Sequence, residues 1–297
     1  MKKDNFKSPD FYNIDTLFNE EQLLIRDTVR EWVKENISPI IEDCALSGNF
    51  PKDIVKKLAE IGGFGGFLPT NYGGSEIDFT SYGLMMQELE RGDSSIRVLS
   101  SVQSLVMNTI YSLGSDDQKQ KYLPKLASGE LIGSFGMSEP NHGSDPSSMK
   151  SHYSEEKDCY IVNGSKMWIG HAPICDVAVI WAKSKSNKYA GFIVERSTEG
   201  FSTAKIEKKW SFRASETGEL IFQNMKVPKE MYEKNHHIGL RLTLILSTIF
   251  IEGKSAFKST YIKLDVFFDP SIIDPDGTRD IDEIRFANYR KVIKNSL

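Results

Sequence analysis

CYIVNGSKMWI (159–169) reads as a strand, an Asn163-Gly164 turn and a second strand, and that reading decides the class of the fold. Asn-Gly tolerates the left-handed backbone of a two-residue hairpin, and the residues on either side suit paired strands. The same texture recurs in DVAVIWAKS (176–184), YAGFIVER (189–196) and GELIFQNMKVP (218–228), short β-branched and aromatic runs bounded by polar turns. Residues 132–232 are therefore expected to form a small antiparallel β-sandwich or open barrel. Its sheet faces need covering, so this domain should dock against helices.

Upstream, the apolar period lengthens. Residues 17–37 place Leu24, Val29, Trp32, Val33 and Ile37 near a 3.6-residue repeat, and Pro39 lies just beyond. A second helix follows Pro51 and uses Ile54, Val55, Leu58 and Ala59. GGFGGFLPTNYGG (62–74) reads as irregular backbone, being dense in glycine with a proline. Two further helices are expected over 79–91 and 94–113, separated by Gly92-Asp93. Ser115-x-x-Gln118 is a capping box opening a short helix that closes near 124–126. The class is thus α+β, with an all-helical domain over residues 1–131 preceding the β-domain. Residues 233–297 form a divergent tail: RLTLILSTIF (241–250) suits a strand or a short helix, 269–280 a loop, and 281–294 a terminal helix.

The 297 residues leave room for two ordinary domains. Thirty-seven basic side chains face forty-one acidic ones, a net charge of −4, so charge offers no case for nucleic acid or an anionic membrane as partner. Cys44, Cys159 and Cys175 are few and widely spaced; they suit a reducing compartment and no metal-site spacing, and no metal is expected. The lysines of the N-terminus precede no apolar run, unlike a secretory signal, and the most apolar stretch, 240–251, contains Arg241 and is too short to span a bilayer. A cytoplasmic protein is expected.

Three long stretches carry a resemblance: SSVQSLVMNTIYSLGSDDQKQKYLPKLASGELIGSFGMSEPNHGSDPSSM (100–149), YIVNGSKMWIGHAPICDVAVIWAK (160–183) and FRASETGELIFQNMKVP (212–228). The chain resembles the acyl-CoA dehydrogenase family through roughly residues 15–232, and most closely its glutaryl-CoA dehydrogenase branch. The resemblance implies a helical domain, a middle β-domain and a C-terminal four-helix bundle, with FAD held between the last two. It implies proton abstraction at the acyl-CoA α-carbon, hydride transfer to the flavin and, in the glutaryl branch, decarboxylation. An electron-transferring flavoprotein would accept the electrons, and the family is usually homo-oligomeric. The family's base is a glutamate of the bundle. Residues 233–297 show neither its motif nor the bundle's pattern, and nothing positions Glu252 or Glu283 over the pocket. The bundle is expected to be absent, no catalytic residue is assigned in this chain, and its activity is expected to be impaired. A non-catalytic remnant that binds acyl-CoA or a protein is the alternative.

FGMSEPNHGSDPSS (135–148) offers backbone N–H groups and hydroxyls where glycine lets a ligand approach, and read alone it is equally a polar loop. By resemblance Phe135, Met137, Ser138 and Gly143 fall at the cofactor, as do Trp168, Ile169 and Gly170. An indole at 168 suits a flavin ring or the core. The family usually has threonine where this chain has Gly170, so a hydroxyl donor near the flavin is lost, and His171 beside it is expected to face solvent. Arg97 and Ser101 are one helical turn apart, where a guanidinium can pair with a carboxylate: either Glu90 at the surface or, by resemblance, the distal carboxylate of glutaryl-CoA. Glu90, Arg97, Ser101 and Ser144 are the substrate positions that the resemblance implies. Arg213 is expected to join domains, and Asp145 to order its own loop.

Overall fold

A computed structural model describes residues 11–233 of the chain. The readings of the tail, including the bundle, 241–250, 269–280, 281–294, Glu252 and Glu283, lie outside the described residues.

Six helices come first: α1 (Glu20–Asn36), α2 (Ile41–Ser47), α3 (Ile54–Glu60), α4 (Phe79–Gly92), α5 (Ser94–Leu113) and α6 (Asp116–Ala127). The capping box expected at α6 is present, the Ser115 side chain accepting from Gln118 N–H while the Gln118 side chain accepts from Ser115 N–H, and Asn19 with Gln22 builds a second box on α1. On α1 the apolar stripe buries Val29, Trp32 and Val33, but Leu24 is exposed, so the stripe is narrower than the sequence pattern suggests. No expectation was placed on α2, whose seven residues are too few for a periodic signal; Gly48 ends it in the left-handed conformation, φ 73°. Residues 62–74 are irregular as expected, apart from a short 3₁₀ turn at Thr70–Tyr72. The loop is tied to α5, with Ser104 Oγ accepting from Gly65 N–H and Ser100 Oγ donating to Gly63 O.

The helices are also cross-braced by charge. Glu88 on α4 is fully buried and accepts from Arg30 of α1 and from Arg91. Burial pushes its carboxyl up, but the two guanidinium groups outweigh this and hold it below the ordinary value.

Eight strands follow: β1 (Gly133–Gly136), β2 (His152–Glu155), β3 (Cys159–Gly170), β4 (Val177–Lys183), β5 (Tyr189–Glu195), β6 (Phe201–Lys205), β7 (Thr217–Pro228) and β8 (Tyr232–Glu233). They form one open, curled sheet in the order β6-β7-β3-β2-β4-β5-β8, with β1 lying parallel to β4 off that path. The hairpin expected at Asn163-Gly164 does not form. β3 runs straight through it, paired with β7 on one side and β2 on the other, and the ladder slips register between Val162 and Gly164. Gly164 has φ 137°, and a Cβ there would lie 2.5 Å from Ser151 Oγ, so glycine is needed for a bulge and not for a turn.

The sheet docks on the helices through hydrogen bonds as well as apolar contact. Gln103, buried on α5, donates to Leu126 O (2.9 Å) and Leu131 O (2.7 Å) and accepts from Gly133 N–H (2.7 Å), tying α5, the end of α6 and β1 together. Tyr122 of α6 donates to Glu195 of β5 at 2.7 Å.

Candidate functional site

Two of the segments singled out in the sequence lie side by side. Residues 133–139 run along residues 166–171, joined by bonds from both main chain and side chains. Ser134 Oγ donates to Gly170 O (2.7 Å) and Met167 N–H to Ser138 O (2.9 Å); His171 Nδ1 lies 3.1 Å from Gly133 O, and Lys166 Nζ lies 3.2 Å from Met137 O. Phe135, Met137 and Ile169 are buried at this seam, while Ser138 and Gly170 are half-buried.

The seam is anchored by an ion pair that was not anticipated. Lys166 and Glu139 are both buried, with Nζ and Oε1 2.8 Å apart. Glu139 also accepts from the backbone N–H groups of Lys150 (2.6 Å) and Ser151 (2.9 Å), so it fastens the far end of the 140–149 loop. Burial pushes the Glu139 carboxyl up, but Lys166, Ser151 and the Lys150 N–H overcome this and hold it down to about 2. Burial likewise lowers the Lys166 pKa, against the pull of its partner. The sequence did carry a signal: with period two, Lys166 falls in phase with the buried Tyr160 and Val162.

Between Lys166 and Ile169 the β3–β7 register slips again, and Trp168 sits there at φ 64° with its indole exposed. A bulky residue in the left-handed region is uncommon and strained, and bulges of this kind re-aim a side chain. Trp168 is therefore not a core residue. It lines a cavity of about 540 Å³ together with Gly170, Val98 and Val102 of α5, and the 206–212 strap. Gly170 faces α5, and a Cβ there would lie 3.1 Å from Val102 Cγ2. Val98 and Val102 thus occupy much of the space a side chain at 170 would need. Neither valine nor the strap was singled out in the sequence, where each reads as ordinary helix core or turn.

His171 is also at φ 64°, but it is buried, contrary to the expectation that it faces solvent. Its N–H donates to Glu216 O at 2.6 Å, and burial lowers the ring pKa to about 4. Nε2 has no partner among the described residues. A histidine that is harder to protonate folded than unfolded contributes stability that is full above its unfolded value and lost as pH falls toward the folded one. Wild-type stability should therefore drop by about 2 kcal/mol between pH 6.5 and 4.5 relative to His171→Gln, read from denaturant midpoints. Parallel pH profiles for the two proteins would remove His171 as the cause.

On α5, Arg97 Nε donates to Glu90 Oε2 (2.7 Å) and Nη1 lies 3.3 Å from Ser101 Oγ, so these three expected residues do meet. Partial burial pushes Glu90 up, but Ser94 and Arg97 outweigh it and hold the carboxyl below its ordinary value. Gly143 and Ser144 are exposed on a loop that Asp145 orders by accepting from Ser147 and Ser148, as expected of that aspartate. Arg213 joins segments as expected: Nε and Nη2 donate to Ala45 O and Leu46 O at the end of α2, and Nη1 to Lys209 O. Among the described residues no helix is long and apolar enough to cross a membrane.

Residues 19–130 match the family model described as acyl-CoA dehydrogenase, N-terminal domain, and residues 134–225 the one described as acyl-CoA dehydrogenase, middle domain. Residues 239–297 match a model described as a domain of unknown function (DUF3333). The chain is 38% identical over 219 residues to the mitochondrial isovaleryl-CoA dehydrogenase of Pongo abelii, covering 71% of this chain and 52% of that protein. Among solved structures, a glutaryl-CoA dehydrogenase from Mycobacterium smegmatis is 30% identical with a TM-score of 0.75, over 95% of this chain and 84% of that one. A glutaryl-CoA dehydrogenase from the same organism in complex with FADH2 gives 29% identity and a TM-score of 0.73 over the same shares. A glutaryl-coenzyme A dehydrogenase in complex with glutaryl-CoA is 33% identical with a TM-score of 0.73, over 77% of this chain and 60% of that one. The chain spans about half the length of the curated relatives it matches.

Proposed function

The chain belongs to the acyl-CoA dehydrogenase family, and from that premise we propose that residues 11–233 supply the helical and sheet walls of a site for FAD and a glutaryl-type dicarboxylyl-CoA. One observation carries this reading. Arg97 and Ser101 sit on the same helix as Val98 and Val102, which share a cavity with Trp168 and Gly170. This nearness along α5 supports assigning a guanidinium for the distal carboxylate and an exposed indole for the flavin to one site.

The residues fit such a cofactor. Trp168 is held outward at backbone cost, and the bonds between 133–139 and 166–171 fix the main chain of Met137 and Ser138 beside it. FAD, when bound, supplies the hydride acceptor for α,β-dehydrogenation. Arg97 would bind the substrate carboxylate with paired, charge-assisted hydrogen bonds, exchanging or sharing its present partner Glu90. Val98 and Val102 keep water from the acyl chain, and Ser144 on its exposed loop is offered to the acyl-CoA. Phe135 and Ile169 back the cofactor from the core, and Gly143 lets the loop approach it. Neither Glu90 nor Glu139 is offered as the α-proton base: each is engaged by a cation, and a carboxylate held near 2 is a weak base. Electron-transferring flavoprotein is the proposed acceptor, a homo-oligomer the proposed assembly, and the cytoplasm, which suits three free cysteines, the proposed location.

Gly170, with no hydroxyl, favours a second reading, an acyl-CoA-binding remnant without the chemistry. Reconstitution separates the two. On the enzyme reading, full-length protein incubated with FAD and desalted should stay at least partly yellow, and glutaryl-CoA added without oxygen should bleach the flavin band only slowly, since no α-proton base is assigned in this chain. Protein that stays yellow but does not bleach, or is colourless yet retains the thioester, favours the remnant. Protein that retains neither ligand sinks both.

A further inference from the structure

A second cleft lies on the other side of the strap and belongs to no part of the proposed reaction. It encloses about 560 Å³ between residues 47–49, at the end of α2, and the 205–215 segment. That is a volume typical of small-ligand pockets.

Its charge is unbalanced. Lys205 is paired with Glu216 at 2.8 Å, and Glu207 can be set against the exposed Lys208. Lys209 and Arg213 are left with neutral oxygens only. Lys209 Nζ donates to Ser215 O (2.6 Å) and Thr217 Oγ1 (2.9 Å), and Arg213 donates to three backbone carbonyls. An ammonium carries three N–H groups and a guanidinium five, so one on Lys209 and two on Arg213 have no partner among the described residues. Burial lowers the Lys209 pKa, and the charge of Lys205 lowers it further while Glu216 opposes both. An anion would relieve that strain. At the rim stands Trp210, wholly exposed at 101%. An aromatic face beside unpaired cations is the combination that takes up a nucleobase with its phosphate.

We propose that this cleft binds an adenosine-phosphate group, with Arg213 and Lys209 holding the phosphate oxygens, Lys208 adding charge at the mouth, and Trp210 stacking on the base. Lys209 also reaches the wall of the neighbouring cavity, since Ser215 and Thr217 line that one too. The chemistry is common to a free nucleotide and to the adenosine diphosphate end of FAD or CoA, and the test distinguishes these sources.

The full-length chain is titrated with ADP while tryptophan fluorescence is followed, in FAD-free and FAD-loaded protein. Saturable quenching by ADP is expected, lost in Trp210→Leu and weakened about tenfold in Lys209→Met. Lys208→Ala, an exposed change that leaves the packing alone, should weaken it about threefold and keeps the test valid if Lys209→Met misfolds. Saturation in FAD-loaded protein that excess CoA leaves unchanged assigns the cleft to a free nucleotide, and saturation that CoA abolishes assigns it to the adenosine diphosphate end of CoA. Saturation only without FAD assigns it to the cofactor's own adenosine diphosphate. Each of these results supports the site, and all are independent of whether glutaryl-CoA is oxidised. No saturation in either form, equal affinity in the wild type and both lysine variants, or inorganic phosphate matching ADP would overturn the proposal.

Discussion

Replacing Lys166 with methionine is expected to destabilise the folded chain by about 3–5 kcal/mol, because it strands the buried Glu139 carboxylate without its cation. Two backbone N–H groups would remain on Glu139, too few to solvate a charge that water no longer reaches. The group would then fold protonated, so the loss should shrink at low pH. In the wild type the sign is opposite. Glu139 is held below its unfolded value, so its contribution is full above about pH 4.5 and disappears as pH falls toward 2. Removing both charges with Lys166→Met and Glu139→Leu should recover most of the loss, since two apolar side chains leave nothing unpaired. Urea unfolding of the three proteins followed by circular dichroism is the measurement. A single variant within 1 kcal/mol of wild type would show that the pair is not what anchors residues 137–151.

Arg97→Ala is expected to weaken glutaryl-CoA binding by about 2–4 kcal/mol while leaving butyryl-CoA nearly unchanged. The variant removes the only guanidinium that contacts both Glu90 and Ser101 among the described residues, and with it the partner of a distal carboxylate. Butyryl-CoA has no such carboxylate to lose. Stability should change little, because Arg97 and Glu90 are both partly exposed and such a pair contributes little to folding. Calorimetry with both ligands on the FAD-loaded protein checks it. Equal losses for the two thioesters would detach Arg97 from the carboxylate and leave the glutaryl assignment without its main support.

The sequence was most legible where signals are local. A capping box is complete within four residues, so Ser115-x-x-Gln118 could be read directly, and a helix as long as α5 repeats its apolar stripe often enough to be unmistakable. Legibility failed where the deciding partner is remote. Asn163-Gly164 carries the same local chemistry in a hairpin and in a bulge; what chooses between them is Ser151 packed against the glycine and β7 pairing on both sides of it. His171 looked solvent-facing because its neighbours are polar or small, yet the backbone of Gly133 takes its ring into the interior. Glu139 and Lys166 lie 27 positions apart, and no spacing rule joins them. Segments 135–138 and 168–170 were singled out through family resemblance; their adjacency is a property of the folded chain.

Gln103 has an implication for how the chain is made. Its amide reaches three main-chain groups, two of them at residues 131 and 133, and the bonds to Leu126 O and from Gly133 N–H are shut away from water. On a ribosome the six helices are synthesised before Gly133 appears, so the nascent helical segment must wait with the Gln103 Oε1 unmatched, although its NH2 can already reach Leu126 O. The covalent border between helices and sheet is thus not a border in time. The helical half completes its last internal bonds only when the first strand has left the exit tunnel, and vectorial synthesis would favour a loosely packed intermediate that β1 locks into place.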